Sequence, residues 1–494
     1  MTKAIGDQPS YYHESKLWRI GLFALNNSAT NIYLFILGFV AYYAAGIAGL
    51  TVVVTSTVIT GSRIFDGFTD PIAGFILDKL ETRFGKFRPF MVIGNVTLAT
   101  SILLMYSLTH IVPSSYTLIV FIGCYILYIL GYTLQTSVTK AGQTVLTNNP
   151  KQRPLFAMFD GIVTALLFGL GQLYVASYLM QKHGDFTIGL FTELNTIAVI
   201  VSAIFTILAV IGITPKDKKE YYGLADNTVE TRFKDYWPIL KSNKGFLMLI
   251  ISVATDKLAF SILRYQVVVV MLFGIVMGDF AISGVVSAIV TIPNVVITII
   301  TVAFATKWGL KKALVMSTWA GLSAAISLVG LFLLIEDPTM LSFENIGIPM
   351  ILFIVFYTIL LGFGGNSSAL VNPMIADVSD YETFRTGRYI PGMMGTIFSF
   401  IDKLITSLPA LIVGITVSLI GFSDEFPTVN DTLTDALFYT TVVLAFVIPM
   451  LGFIVTLIAM KFYPLDKKKM EEVQAGILAM KQTNHSPDKE KNVF

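Results

Sequence analysis

The chain has 494 residues, 54% of them hydrophobic and only 13% charged, and its 34 Lys and Arg against 32 Asp and Glu leave a formal net charge of +2. With a mean hydropathy of +0.73, it carries too little polar surface to cover a soluble globule of this size, so a bilayer-embedded protein is expected. The net charge says little about partners, though no nucleic-acid partner is expected, and the one cysteine, Cys124, can form no intramolecular disulfide.

In chain order, the first 17 residues are polar and reach the apolar run near Trp18 without a small-residue cleavage site, so no removable leader is expected. Hydropathy, punctuated by Gly, Pro and charge, then predicts twelve helices at about 20–46, 50–78, 89–110, 114–146, 156–181, 187–213, 245–275, 281–306, 313–335, 347–378, 390–420 and 436–463. Most exceed the roughly 20 residues that cross a hydrocarbon core. Lys and Arg sort to one side: the N-terminal segment, Lys79, Arg83, Lys86, Arg88, Lys151, Arg153, the 216–244 stretch, Lys307, Lys311, Lys312, Arg385, Arg388 and the tail. Only Lys182 falls opposite. Both termini are therefore expected to be cytoplasmic, in agreement with an even number of crossings.

The polar stretch 215–244 divides six predicted helices from six, giving expected halves at 18–214 and 245–463, a short N-terminal segment at 1–17 and a tail at 464–494. The halves echo one another. Gly74, Asp78, Lys79, Arg83, Gly85 and Lys86 follow the second helix, as Lys307, Gly309, Lys311 and Lys312 follow the eighth. Two such halves around a central cavity imply alternating access. A membrane enzyme, flippase or channel would also need many helices. The sequence, however, has no nucleotide-binding P-loop, no metal constellation among its four histidines and no selectivity-filter repeat. No enzyme activity is expected.

Ionisable groups at bilayer depth cost at least about 2.5–3.5 kcal/mol each and mark functional sites. Arg63, Asp66 and Asp70 are spaced i, i+3, i+7 on one face of the second helix. Two carboxylates that close do not both ionise cheaply without a cation beside them. With the Thr69 hydroxyl, they form an oxygen set suited to Na⁺ or H⁺; the alternative is a buried Arg–Asp network that only braces helices. On the fourth helix, Tyr132, Thr133, Thr136 and Lys140 lie on or near one face, where Lys140 could bind an anion, pair with Asp160 of the fifth helix or snorkel to the interface. Asp256 and Lys257 sit mid-span in the seventh helix, with Arg264 two turns on, and form either a self-satisfied pair or ligands. Asp402 and Lys403 lie deep in the eleventh, with at least one expected to face the cavity.

The stretch from Ser62 to Pro89, SRIFDGFTDPIAGFILDKLETRFGKFRP, resembles the second-helix signature of the glycoside–pentoside–hexuronide:cation symporters, the melibiose permease family of the major facilitator superfamily. A second match runs from Asn372 and Pro373 through Asp377, Asp380 and Glu382 to Asp402 and Lys403. The resemblance implies an all-α membrane protein with the major facilitator fold. It also implies a cation site of Asp66, Asp70, Thr69 and Thr133, with Arg63 one turn before the first carboxylate and Lys403 close by. If the ion is Na⁺, those four oxygen-bearing residues are its ligands. The sugar-recognising acids of helices one and four correspond here to Asn27 and Thr136.

Losing two acids while keeping Lys140, Lys257 and Arg264 makes the cavity more positive, which suggests a carboxylate-bearing substrate such as a hexuronide. The substrate residues expected are Asn27, Thr136, Lys140, Lys257, Arg264 and Tyr132, the last able to stack on a sugar ring. The reading is thus a cation-coupled symporter importing a sugar, glycoside or hexuronide, acting as a monomer in the cell membrane. Its partners would be that solute, a monovalent cation (Na⁺ or H⁺) and the bilayer, with no other cofactor. A lipid or lysolipid carrier of the same fold and a non-transporting sensor are the alternatives. The tail from Met470 is read as a short amphipathic or disordered end.

Overall fold

The computed structural model describes residues 13–79, 82–147, 152–221, 243–344, 346–365, 367–387 and 391–484; within its helices, the side chains of 70–79, 140, 153–154, 367–368, 391–393, 395–396 and 481–484 lie outside that description. The described residues are helical throughout, apart from turns and one isolated bridge between Thr82 and Gly85. The first part of the chain contains α1 (Leu17–Leu37), α2 (Val40–Gly46), α3 (Val52–Lys79), α4 (Arg88–Leu108), α5 (Ser114–Leu146), α6 (Arg153–Tyr174), α7 (Met180–His183) and α8 (Ile188–Ile213). The second contains α9 (Lys244–Leu263), α10 (Gln266–Val269), α11 (Ala281–Trp308), α12 (Leu310–Leu334), α13 (Ile348–Gly365), α14 (Ser367–Thr386), α15 (Pro391–Leu419), α16 (Asp435–Val442), α17 (Ile448–Phe462) and α18 (Lys467–Asn484).

Among the described residues, 11 stretches are long and apolar enough to cross a membrane. α3, which contains the Arg63–Asp70 cluster, is not among them. Its 28 residues would extend about 42 Å at 1.5 Å per residue, so charge rather than length sets it apart. The predicted helix 245–275 is broken: α9 ends at Leu263, Tyr265 turns extended, and α10 continues into a π-helical segment, Val270–Val276. Arg264, expected two turns along one continuous face, is instead the C-cap residue at that break.

The chain forms two compact units. Unit 1 comprises Met1–Thr228, Ser283–Ser287 and Val417–Asn430; unit 2 comprises Val229–Ile282, Ala288–Thr416 and Asp431–Phe494. The 222–242 part of the predicted linker lies outside the described residues. In unit 1 the principal packing partners are α1 with α8 and α4 with α5; in unit 2 they are α9 with α17 and α12 with α13. Both units thus pair their first long helix with their last apolar one, and their third with their fourth. This is the internal repeat expressed in packing.

The loop repeat has the same physical basis in both units. Gly85 (φ +99°) and Gly309 (φ +91°) occupy left-handed conformations just before α4 and α12, where a side chain would be strained. At Gly85 there is also no room: a Cβ would lie 2.2 Å from a carboxylate oxygen of Asp217. Asp217, 1% exposed, accepts from the backbone N–H groups of Lys86 (2.9 Å), Phe87 (3.2 Å) and Arg88 (3.1 Å) and from Arg88 Nε (3.2 Å). It takes up the orphan donors at the start of α4, where the helix dipole also favours a negative charge. In unit 2 the corresponding turn packs against the tail. A Cβ on Gly309 would lie 3.0 Å from Lys467 Cβ, and Lys467 Nζ donates to the Lys307 carbonyl at 3.3 Å.

The tail is therefore a docked helix rather than a disordered end as far as Asn484; residues 485–494 lie outside the described residues. Val473 of α18 is fully buried. Gly476 allows the Phe384 ring to approach, and Gln474 donates to Asp380 at 2.7 Å.

Candidate functional site

The carboxylate-bearing face of α3 packs against α5, and α5 is positioned by its contact with α4. At their crossing, a Cβ on Gly131 would lie 2.9 Å from Leu98 N and 3.0 Å from the Gly94 carbonyl. Only small residues let two membrane helices come this close. Two residues beyond Gly131, the Thr133 side chain points at α3. Its hydroxyl lies 3.1 Å from Asp66 Oδ1 and 3.1 Å from Thr69 Oγ1. Thr133 is 1% exposed and Thr69 6%. Three of the four residues expected to form a cation site, Asp66, Thr69 and Thr133, are thus brought together within unit 1. The fourth, Asp70, lies one turn further along α3 with its side chain outside the described residues.

The two hydroxyls have one proton each and more than one acceptor. Thr133 reaches Asp66 Oδ1 or, in its own helix, the Ile129 carbonyl at 2.9 Å; Thr69 reaches Thr133 Oγ1 or the Asp66 carbonyl at 3.0 Å. When both donate to backbone carbonyls, their lone pairs turn toward the carboxylate and leave three oxygens for a hard cation. When Thr133 donates to Asp66, it instead serves the carboxylate directly. Arg63, one turn earlier, is half-buried, and the Tyr125 and Tyr128 phenols lie near it and Asp66. Neither tyrosine stood out in a sequence rich in aromatics.

The expected substrate residues divide. Asn27 donates through Nδ2 to both carboxylate oxygens of Asp160, at 2.8 and 3.0 Å, and the Thr164 hydroxyl adds a contact at 3.4 Å. Asp160 therefore pairs with an amide and a hydroxyl; the expected partner, Lys140, has its side chain outside the described residues. Thr136 donates back to the Tyr132 carbonyl at 2.9 Å, and Tyr132 stacks on Tyr128 with ring centroids 5.9 Å apart. Neighbouring Asn26, overlooked beside Asn27, is fully buried and donates to the Gln135 carbonyl and to Thr139, tying α1 to α5.

In unit 2, Asp256 and Lys257 do not form a self-satisfied pair, one of the two readings of the sequence. Consecutive helical residues point about 100° apart. Asp256, 5% exposed, accepts from Thr456 at 2.6 Å, while Lys257 reaches across to Asp402 at 2.5 Å and lies over the Phe398 ring. Arg264 is exposed, with its guanidinium 5.9 Å from the Phe260 centroid. Lys403, half-buried in α15, also belongs to unit 2.

The chain is 22% identical over 474 residues to the uncharacterized symporter YnaJ of Bacillus subtilis, covering 93% of this chain and 94% of that one. It is 22% identical over 481 residues to the isoprimeverose transporter of Lactiplantibacillus pentosus, covering 94% and 91%. The nucleoside transporter NupG shares its fold, with a TM-score of 0.60 at 11% identity, over 91% of this chain and 99% of that one. The family model for MFS/sugar transport proteins matches residues 21–467. The chain thus belongs to the glycoside–pentoside–hexuronide:cation symporters of the major facilitator superfamily and is a multi-pass sugar/glycoside symporter, not an enzyme.

Proposed function

We propose that the protein imports a sugar or glycoside across the cell membrane by alternating access, driven by Na⁺ or H⁺ bound at Asp66, Thr69 and Thr133. Asp70 and Arg63 are assigned to the same face of α3. In this reading α3 supplies the twelfth crossing, both termini are cytoplasmic and the monomer is the working unit. The observation that carries the proposal is the Thr133 hydroxyl lying 3.1 Å from both Asp66 Oδ1 and Thr69 Oγ1, with a backbone carbonyl available to each hydroxyl as an alternative acceptor. An ion arriving there finds oxygen ligands whose protons already have somewhere to go. Its positive charge offsets the cost of a carboxylate at membrane depth and shifts the population toward the sugar-binding state. That is coupling in the linkage sense.

The test is uptake of radiolabelled isoprimeverose, the sugar named for one relative, into proteoliposomes under separately imposed Na⁺ and proton gradients. Accumulation above equilibrium under one of them is expected and identifies the ion. Accumulation under neither, across isoprimeverose, methyl xyloside, methyl glucoside and methyl glucuronide, would overturn the proposal.

A further inference from the structure

Next to the Asn27–Asp160 contact lies a cavity of about 150 Å³ lined by residues of α1, α5 and α6, among them Phe23, Asn27, Thr139, Gln143, Phe156 and Asp160. That volume matches a cavity that admits a single benzene ring, ~150 Å³. It accommodates one ring-sized group, such as one ring of a disaccharide. Its chemistry is uneven. Phe23 and Phe156 meet edge-to-face at 6.0 Å and form an apolar wall. Opposed to them are two polar groups with unused capacity. The Asp160 carboxylate has about four acceptor positions, of which Asn27 and Thr164 occupy some, and no cation pairs with it among the described residues. The Gln143 amide makes no side-chain hydrogen bond among the described residues, leaving two donors and an acceptor available.

A carboxylate fixed by an amide, a second amide without a partner and aromatic edges closing the other side together suit a neutral ring with vicinal hydroxyls. One hydroxyl donates to Asp160 and its neighbour exchanges with Gln143, while the C–H face packs on Phe156. The geometry points to Asp160 as the specificity-determining residue of the substrate site, selecting a neutral pyranose ring and disfavouring a uronate. This rests on the reading of the protein as a sugar symporter and deepens it. It also reverses the substrate charge suggested by the cation count. One of the three cations in that count, Lys257, is neutralised by Asp402. Asp160, for which Lys140 was one candidate partner, accepts from Asn27 and Thr164, and a substrate carboxylate placed against its oxygens would face repulsion.

Uptake of radiolabelled isoprimeverose by wild-type proteoliposomes, competed by methyl xyloside and by methyl glucuronide, tests the inference together with Asp160→Asn and Gln143→Leu. In wild type the neutral xyloside is expected to compete at least tenfold better than the glucuronide. A hydrogen bond from a sugar hydroxyl to a charged acceptor is worth roughly ten- to hundredfold in affinity, so Asp160→Asn should raise KM by about that factor and narrow the gap between the two competitors. Gln143→Leu should raise KM by about threefold to tenfold without changing the competitor preference. The half-saturating cation concentration should move in neither variant. Glucuronide preference in wild type, or an unchanged KM in folded Asp160→Asn, would overturn the inference while leaving gradient-driven uptake intact. Failure of wild type to accumulate any sugar would instead refute the symporter reading.

Discussion

Replacing Thr133 by valine removes one oxygen from the coupling site while leaving a branched side chain of the same outline. The hydroxyl sits 3.1 Å from Asp66 Oδ1 and 3.1 Å from Thr69 Oγ1 and is 99% shielded, with 1% of the residue exposed. No water can take its place. Hydrogen bonds and ligand contacts involving a charged partner contribute about 1.5–3 kcal/mol. At about 1.4 kcal/mol per factor of ten, Thr133→Val should raise the half-saturating concentration of the driving cation by roughly 10- to 100-fold. α5 itself loses nothing, because the Ile129 carbonyl keeps its helical N–H partner. Thr133→Ser, which restores the oxygen, should stay within about threefold of wild type. The assay is initial uptake of isoprimeverose against cation concentration in proteoliposomes. A folded Thr133→Val with wild-type cation dependence would remove Thr133 from the site and refute the reasoning.

Other substitutions test the frame that holds the site. Gly131→Val places atoms where Leu98 N and the Gly94 carbonyl lie within 3.0 Å of a Cβ. It should cost about 1–3 kcal/mol, read as earlier thermal unfolding in detergent, and weaken cation binding by displacing Thr133. Asp217→Ala leaves four N–H donors without their acceptor. At about 1–3 kcal/mol per unsatisfied group, a loss of several kcal/mol is expected, whereas Asp217→Asn, keeping one oxygen, should be milder in the same melt. Lys257→Ala strips Asp402 of its 2.5 Å partner and should destabilise more than Lys257→Ala combined with Asp402→Ala, because the single change leaves a charge uncompensated. Gly476→Val, which collides with Phe384, should undock α18 and expose the tail to limited proteolysis.

The membrane fold was readable because its rules are strong. Apolar runs of bilayer length have few alternatives. The loop glycines could be picked out in both halves because Gly85 and Gly309 adopt backbone conformations that other residues resist. The cluster on α3 stood out for the opposite reason, since carboxylates at that depth are rare. Pairings across helices were much less legible. Asp256 and Lys257 are adjacent in sequence, yet they face Thr456 and Asp402 respectively, and helical periodicity says only that neighbours diverge, not what each meets. Asp160 was noticed, but its amide partner Asn27 was not foreseen, because opposite charge is the obvious match in sequence and an amide is not. Asp217 was passed over as one acid among lysines in a polar stretch. Its one visible signal was its place just past the end of a helix, and the donors it serves lie about 130 residues away.

The central claim is that Asp66 converts an ion gradient into sugar accumulation. Uptake driven by the cation gradient and sugar counterflow without a gradient, measured side by side for Asp66→Asn, test it most directly. The account predicts that accumulation is abolished while some counterflow persists, since the sugar cavity is built from other residues. Full gradient-driven accumulation by Asp66→Asn would contradict it.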